Sequence, residues 1–258
     1  MKSVTPIYPL KRPRTLTEQA ADAIRTRIVT GDFQLGEALS EITLAAELGV
    51  SKTPVREAFL QLKNEGLLDI QPQRGTFVFQ MTREQTSQLT VLREVLEVKA
   101  LEIAIETGAK TPGGATAPGE ATTLGEALGK VVVAMTEAMA RGNLRTYREL
   151  DHAFHHRIIA ASANDFIELA YSGIAFRVHA LRNRLSICPQ QNACSLAEHA
   201  ALAQLIAAGD VAKASAALLE HIRTTAREYM NVVTNAPSDT AATRAIHLAR
   251  LRTVGTGA

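Results

Sequence analysis

Residues 39–68, LSEITLAAELGVSKTPVREAFLQLKNEGLL, constrain the fold more than any other stretch of the chain. Apolar residues recur at helical spacing on both sides of Gly49, so two short helices should meet at a tight turn. Ser40 is a suitable N-cap for the first of them, with Leu44 and Leu48 facing inward. Thr53 is the expected N-cap of the second. It puts Pro54 at the first helical position, where a missing N–H costs nothing. Val55, Phe59 and Leu62 give that helix its apolar face, and Gly66 closes it. Upstream, a helix is expected from about residue 17 to residue 30, with Ala20, Ile24 and Ile28 on one face and Gly31 as its stop. Downstream, residues 67–70 and 76–79 read as a hairpin around Gln71-Pro72-Gln73-Arg74-Gly75.

Two short helices joined this way, followed by a polar helix start, form a helix-turn-helix pattern. Such a unit sets the N-terminal end of its second helix in the major groove of DNA. Ser51, Lys52 and Thr53 stand at that end and Arg56 one turn on. These small donors and cations suit phosphate oxygens and base edges, and the free N–H groups of the helix start add a phosphate site. Arg74 and Gly75 would form a wing tip, where glycine lets the backbone approach and arginine enters the minor groove or pairs with phosphate. A plain three-helix unit with a capped helix would carry the same pattern. Charge does not decide between them, because the net charge is only +2. The basic residues Lys2, Lys11, Arg12 and Arg14, with no acid among residues 1–14, suggest a flexible arm able to reach phosphates.

The 39–68 run resembles the DNA-binding domain of the GntR superfamily of bacterial regulators, and residues 28–36 and 74–78 fit the same pattern. The resemblance covers most of residues 15–80. It implies a winged helix-turn-helix on double-stranded operator DNA, with Ser51, Lys52, Thr53, Arg56, Arg74 and Gly75 as the contacting residues. The chain departs from the family in two places: Ile42 and Lys52 stand where arginine is frequent. Lysine cannot make arginine's bidentate fork to guanine, so a different operator sequence is expected.

Beyond residue 82 the periodicity is helical throughout. One stripe runs through Leu89, Leu92, Leu96, Ala100 and Ile103, and a second through Leu124, Leu128, Val131, Met135 and Met139. Others follow Leu144 to Ile158, and Phe166, Leu169, Ile174, Val178, Leu181 and Leu185; two last helices cover 196–208 and 211–229. Aromatic residues are only 4% of the chain, which favours helices packed on helices. The expected fold is mainly α: a winged helix-turn-helix of three helices plus a β-hairpin, then an all-α bundle of six to seven helices. Four segments follow: a basic arm (1–14), a DNA-binding domain (15–80), a helical effector-binding and dimerisation domain (82–232) and a disordered tail (233–258). Residues 108–123, rich in Gly, Pro and Thr, should form a mobile loop. No apolar run suits a membrane and no secretory signal opens the chain, so a cytoplasmic location is expected. Cys188 and Cys194 read as two free thiols.

Six of the seven histidines fall between residues 152 and 221. Asp151 and His155, four apart, project from one helix face beside Leu150, Phe154 and Ile158. His199 lies on the apolar side of its helix, and His221 adjoins Ile222. One carboxylate and three imidazoles from three helices suit Zn²⁺ or a similar first-row divalent ion with open positions, although each histidine alone fits an ordinary core or surface role. The segments Asp151-x-x-Phe154-His155, Glu198-His199 and His221-Ile222, with Leu92-Arg93-Glu94-x-Leu96-Glu97, resemble the FCD domain of the FadR branch of that superfamily. The resemblance implies that Asp151, His155, His199 and His221 hold a metal, zinc first, with nickel and manganese as alternatives. It also implies a small carboxylate effector at the open metal positions and a homodimer acting as a repressor. Arg93 is the candidate second anchor for the effector, with a surface ion pair to Glu97 as the competing role. His152 and His156 fit no ligand position. A metal-dependent hydrolase or lyase using the same ligands is a rival, and so is a regulator whose metal is purely structural.

Overall fold

The computed structural model describes residues 13–108, 110–111, 122–185 and 189–235. Helix α1 (Leu16–Thr30) starts one residue before the sequence expectation, because Thr15 and Glu18 form a capping box. It ends at Gly31, whose φ of 89° is the left-handed conformation that glycine adopts without strain. After β1 (Ala38–Leu39), α2 (Glu41–Leu48) is capped by the Ser40 side chain and stops at Gly49. Helix α3 (Lys52–Asn64) begins earlier than expected: Ser51, not Thr53, is its N-cap, and Pro54 lies inside the first turn. A proline is still tolerated there, since the first-turn N–H groups have no intrahelical acceptor.

Strands β2 (Leu68–Gln71) and β3 (Gly75–Val78) pair antiparallel with Asp69 opposite Phe77 and Gln71 opposite Gly75, which leaves a tighter connection than the five-residue loop expected. The sequence reading missed β1, which pairs with the other edge of β3 to give a three-stranded sheet ordered β1-β3-β2.

Helix α4 (Arg83–Arg93) runs through a wide π turn, Glu94–Val98, directly into α5 (Lys99–Glu106). That turn changes which face is inward. Leu89, Arg93, Glu97, Ala100, Leu101 and Ala104 are buried, whereas Leu92 of the expected stripe is exposed and Leu96 and Ile103 are only partly covered. An insertion in the helical register rotates everything beyond it, so a constant 3.6-residue period drawn through it selects the wrong face. The ends of the expected loop pair as β4 (Lys110–Thr111) and β5 (Thr122–Thr123), two short strands in a region read as strandless; residues 112–121 lie outside the described set.

Helices α6 (Leu124–Ala140), α7 (Leu144–Ala161), α8 (Asp165–Leu185), α9 (Pro189–Ala207) and α10 (Val211–Asn235) complete the bundle. Helix α10 continues three residues past the expected boundary at 232. The first turns of α8 correct another expectation, since Phe166 and Leu169 are 84% and 70% exposed. Its last turns are the reverse. Every residue from Val178 to Asn183 is buried, because α8 packs on α7 and α10 on one side and on α1 on the other. The buried apolar residues accordingly form one continuous cluster from Ala20 in α1 to Tyr229 in α10.

Residues 1–12 and 236–258, holding most of the expected basic arm and tail, lie outside the described residues, as does Cys188. Cys194 is a free, exposed thiol. Among the described residues no helix is long and apolar enough to cross a membrane.

Candidate nucleic-acid interface and metal centre

The start of α3 presents Ser51, Lys52, Thr53 and Arg56 to solvent, while Pro54, Val55, Ala58, Phe59 and Leu62 pack inward. The Ser51 side chain makes no cap bond, so it and the first N–H groups of the helix are available to an anion. Arg56 is occupied: its Nε donates to Glu41 of α2 at 3.2 Å and its Nη2 at 2.9 Å. An exposed pair of this kind contributes at most about 1 kcal/mol, so a phosphate can displace Glu41. At the hairpin tip Arg74 and Gly75 are exposed, and the Arg74 N–H closes the turn on the Gln71 carbonyl at 3.1 Å. Gly75 has φ of 116°, a value closed to ordinary side chains. Ile42 is 63% exposed beside this surface at the start of α2.

Inside the bundle, α7 contributes His155, α9 His199 and α10 His221, with one ring nitrogen of each within 4.8 Å of the others. The three are 0%, 1% and 4% exposed. Burial holds all three below the ordinary histidine value: His199 at about 3, with His221 adding to the depression; His221 at about 4, with Arg182 adding to it; and His155 well below normal, again with Arg182 next. The rings are therefore neutral near pH 7, the state that ligates metals.

Their outer nitrogens are held from behind. His155 Nδ1 lies 2.6 Å from Glu97 Oε2, and His221 Nδ1 lies 2.6 Å from Glu198 Oε2. A carboxylate only accepts, so each of these Nδ1 atoms carries the ring proton and each Nε2 offers a lone pair. His199 Nδ1 is 3.4 Å from Ser195 Oγ. His155 Nε2 and His199 Nε2 face each other at 3.3 Å, and His221 Nε2 is buried with no partner. Converging imidazole lone pairs, one of them orphaned, fit a divalent cation of the zinc type.

Asp151 lies beside this cluster, with Oδ1 3.5 Å from His199 Nε2, but the same oxygen accepts a bond from Arg182 Nη2 of α8. Arg93 Nε donates to Glu97 Oε1 at 2.8 Å. The expected surface pair is thus a buried one, reached through the π turn. Burial alone would lower the Arg93 pKa, and the attraction of Glu97 outweighs it to raise the value. Arg93 Nη2 and Arg182 Nη1 are both buried without a partner. An apolar cleft of about 320 Å³ involves Arg93 and Arg182 with Leu89, Leu181 and Tyr229. A polar cleft of about 390 Å³, on Asp151, Arg182, Asn183, Ser195 and Glu228, lies on the other side of Arg182. Two unsatisfied cationic groups at paired clefts suit an anion.

Sequence reasoning missed Glu97 as a partner of His155, Arg182 as a partner of Asp151, and Glu198 as the support of His221. The available signals were the i, i+4 spacing of Arg93 and Glu97, and arginine and asparagine inside the otherwise apolar end of α8. His152 and His179 form a separate stacked pair with centroids 4.4 Å apart.

Comparison with known proteins agrees with this architecture. The model for bacterial regulatory proteins of the gntR family matches residues 16–78, and the FCD domain model matches residues 88–224. The probable D-xylose utilization operon transcriptional repressor of Paenarthrobacter nicotinovorans is 28% identical over 209 residues, covering 81% of this chain and 86% of that protein. The gluconate operon transcriptional repressor of Bacillus subtilis is 27% identical over 160 residues, covering 60% and 59%. A crystal structure of a GntR regulator from Rhodococcus sp. RHA1 superposes with a TM-score of 0.68 at 21% identity, covering 83% of this chain and 97% of that one.

Proposed function

Because the chain belongs to the GntR family of bacterial regulatory proteins and carries an FCD domain, it is a DNA-binding transcriptional regulator, and we propose that it is a homodimeric repressor controlled by a divalent transition metal and a small carboxylate in the C-terminal bundle. The observation that carries this reading is the set of three buried imidazoles with two Nδ1 atoms held by carboxylates and Nε2 atoms turned to a common point. His155, His199 and His221 would hold the ion, and Asp151 would complete the set once Arg182 lets it go. When bound, the ion supplies positive charge and open positions for an anionic oxygen. Arg93 and Arg182, each with an unpartnered nitrogen, would orient the carboxylate. Zinc fits best, with nickel and manganese as alternatives. The unpaired guanidinium nitrogens favour an effector site over a purely structural metal.

Ser51, Lys52, Thr53 and Arg56 would enter the major groove, and Arg74 and Gly75 would follow the backbone beside it. The xylose and gluconate operon relatives are repressors by name, which favours repression here. Dimerisation would place two reading helices on two half-sites. The exposed Val91, Leu92 and Val95 give α4 and its π turn an apolar face suited to that contact. The relatives and both family models are regulators, which removes the hydrolase or lyase alternative.

The test is metal content of the purified protein, wild type beside His199→Ala, followed by binding to duplex DNA with and without a panel of small carboxylates. About one Zn²⁺ per chain in the wild type only, with DNA binding altered by one carboxylate, is the expected result. No uptake of Zn²⁺, Ni²⁺ or Mn²⁺ by the wild type would remove the metal. Metal without any response of DNA binding to carboxylates would leave a structural ion.

A further inference from the structure

The last turn of α8 touches both folded units with consecutive residues. Arg182 turns into the bundle, where Nη2 bonds the Asp151 carboxylate and approaches the Asp151 carbonyl at 3.4 Å. Asn183 turns the other way, and its Nδ2 donates to the Val29 carbonyl at 2.7 Å. Arg184 Nη1 donates to the Ile28 carbonyl at 3.1 Å and Nη2 to the Phe33 carbonyl at 2.9 Å. Ile28 and Val29 close α1, and Phe33 lies in the turn after it. A helix leaves its last carbonyls without intrahelical partners. The bundle therefore supplies the C-terminal cap of the first helix of the DNA-binding unit.

These residues cannot move independently. Neighbours in a helix are separated by 1.5 Å of rise and about 100° of rotation, so a shift that follows Arg182 carries Asn183 and Arg184 with it. The contact around them is tight as well. Arg25 of α1 stacks on Phe176 of α8 at 4.9 Å. A Cβ on Gly66, after α3, would lie 2.5 Å from the Arg177 guanidinium. Finally, Arg182 Nη1 and Asn183 Oδ1 are both buried without partners, and both residues line the polar cleft beside Asp151. One wall of the cleft and the cap on α1 are the same two side chains.

We propose that the turn Arg182-Asn183-Arg184 couples the site in the bundle to the DNA-binding unit. A cation that engages Asp151 takes the carboxylate from Arg182, the turn re-seats toward the cleft, and the cap on α1 weakens. The coupling rests on the reading of Asp151 as part of a cation site. The ligand acts only through its different affinity for the two arrangements, so a weakened cap is the reciprocal of ligand binding.

Hydrogen–deuterium exchange of the full-length protein, with Zn²⁺ alone as the probe, tests this. In the wild type Zn²⁺ should protect the segment around His199 and raise exchange several-fold in residues 26–36. In the Asn183→Ala/Arg184→Ala variant, exchange at 26–36 should already be raised and should no longer respond to Zn²⁺, while the His199 segment still gains protection. Arg184→Lys keeps the charge but cannot bridge two carbonyls, so it should lose part of the response; it replaces the double variant if that fails to fold. Asp151→Asn, in chelator and without any metal, should raise exchange at 26–36 by loosening Arg182. Wild-type residues 26–36 unmoved while His199 is protected, or a double variant that responds like the wild type, would overturn the coupling. If the wild type binds no Zn²⁺, the metal reading fails, and Asp151→Asn alone decides: unchanged exchange at 26–36 overturns the coupling too.

Discussion

Replacing Glu97 with glutamine tests whether the site is built from behind. Glu97 is fully buried and accepts from Arg93 Nε at 2.8 Å and from His155 Nδ1 at 2.6 Å. Glutamine keeps the shape and loses the charge. Arg93 then sits buried without its counter-ion, and removing one partner of such a pair costs about 3–5 kcal/mol. The amide oxygen still accepts one bond, which places the expected loss near about 3 kcal/mol. Domains of ordinary stability hold about 5–15 kcal/mol, so the metal-free variant should fold. With a urea dependence of about 1–3 kcal/mol per molar, its midpoint should drop by roughly 1–3 M. The second effect falls on His155. Removing an outer partner of a ligating histidine lowers metal affinity by about 10- to 100-fold, or about 1.4–2.7 kcal/mol. Competition for Zn²⁺ against a chromophoric chelator at neutral pH reads that term separately from urea unfolding in chelator. Zn²⁺ affinity within a factor of about two of the wild type would refute the outer-partner reasoning. An unchanged urea midpoint would refute the claim that Glu97 compensates a buried charge.

Acid should destabilise the metal-free protein. Burial holds the stacked pair His152 and His179 at about 4 and about 3 in the fold, with Arg182 depressing His152 further and His152 itself depressing His179. An unfolded histidine titrates near about 6.5, so the stability is fully present above that pH and is lost as the pH falls toward the folded values. From pH 6.5 to 5 the loss is about 2 kcal/mol per histidine, and urea titrations at the two pH values should show it; equal midpoints would contradict the burial of the pair. Arg74→Ala should weaken duplex DNA binding for all sequences and reduce the slope of log affinity against log salt by about 1, and an unchanged slope measured by fluorescence anisotropy would take the wing tip off the phosphates. Gly125→Ala would set a Cβ 2.5 Å from the Ala207 Cα where α6 crosses α9. Overpacking of about 1–3 kcal/mol or more exceeds the roughly 1 kcal/mol gained in helix propensity, so thermal unfolding should come earlier, and a raised melting temperature would contradict the close approach.

Much of the fold is legible along the chain because its causes are local. Thr15, Ser40, Gly31 and Gly49 cap or stop helices through bonds within a few residues of themselves. The same holds for the α3 face, where Val55, Phe59 and Leu62 repeat at helical spacing and are buried as that spacing requires. The three histidines were legible for a similar reason, since each stands on the apolar side of its own helix. Local reasoning failed where two faces were equally apolar. Leu92 and Leu96 continued the α4 stripe on paper, yet the π turn put Arg93 and Glu97 inside. Phe166 and Leu169 extended the α8 stripe beyond the point where that helix finds neighbours. Glu97 meets His155 across 58 positions, Arg182 meets Asp151 across 31, and Asn183 meets Val29 across 154. The sequence by itself thus determined the helices, their order, the reading head and the ligand types. Which charges back the ligands, and which residues of α8 hold α1, was decided only by tertiary packing, because helix periodicity orients a side chain about its own axis and carries no information about which helix lies opposite.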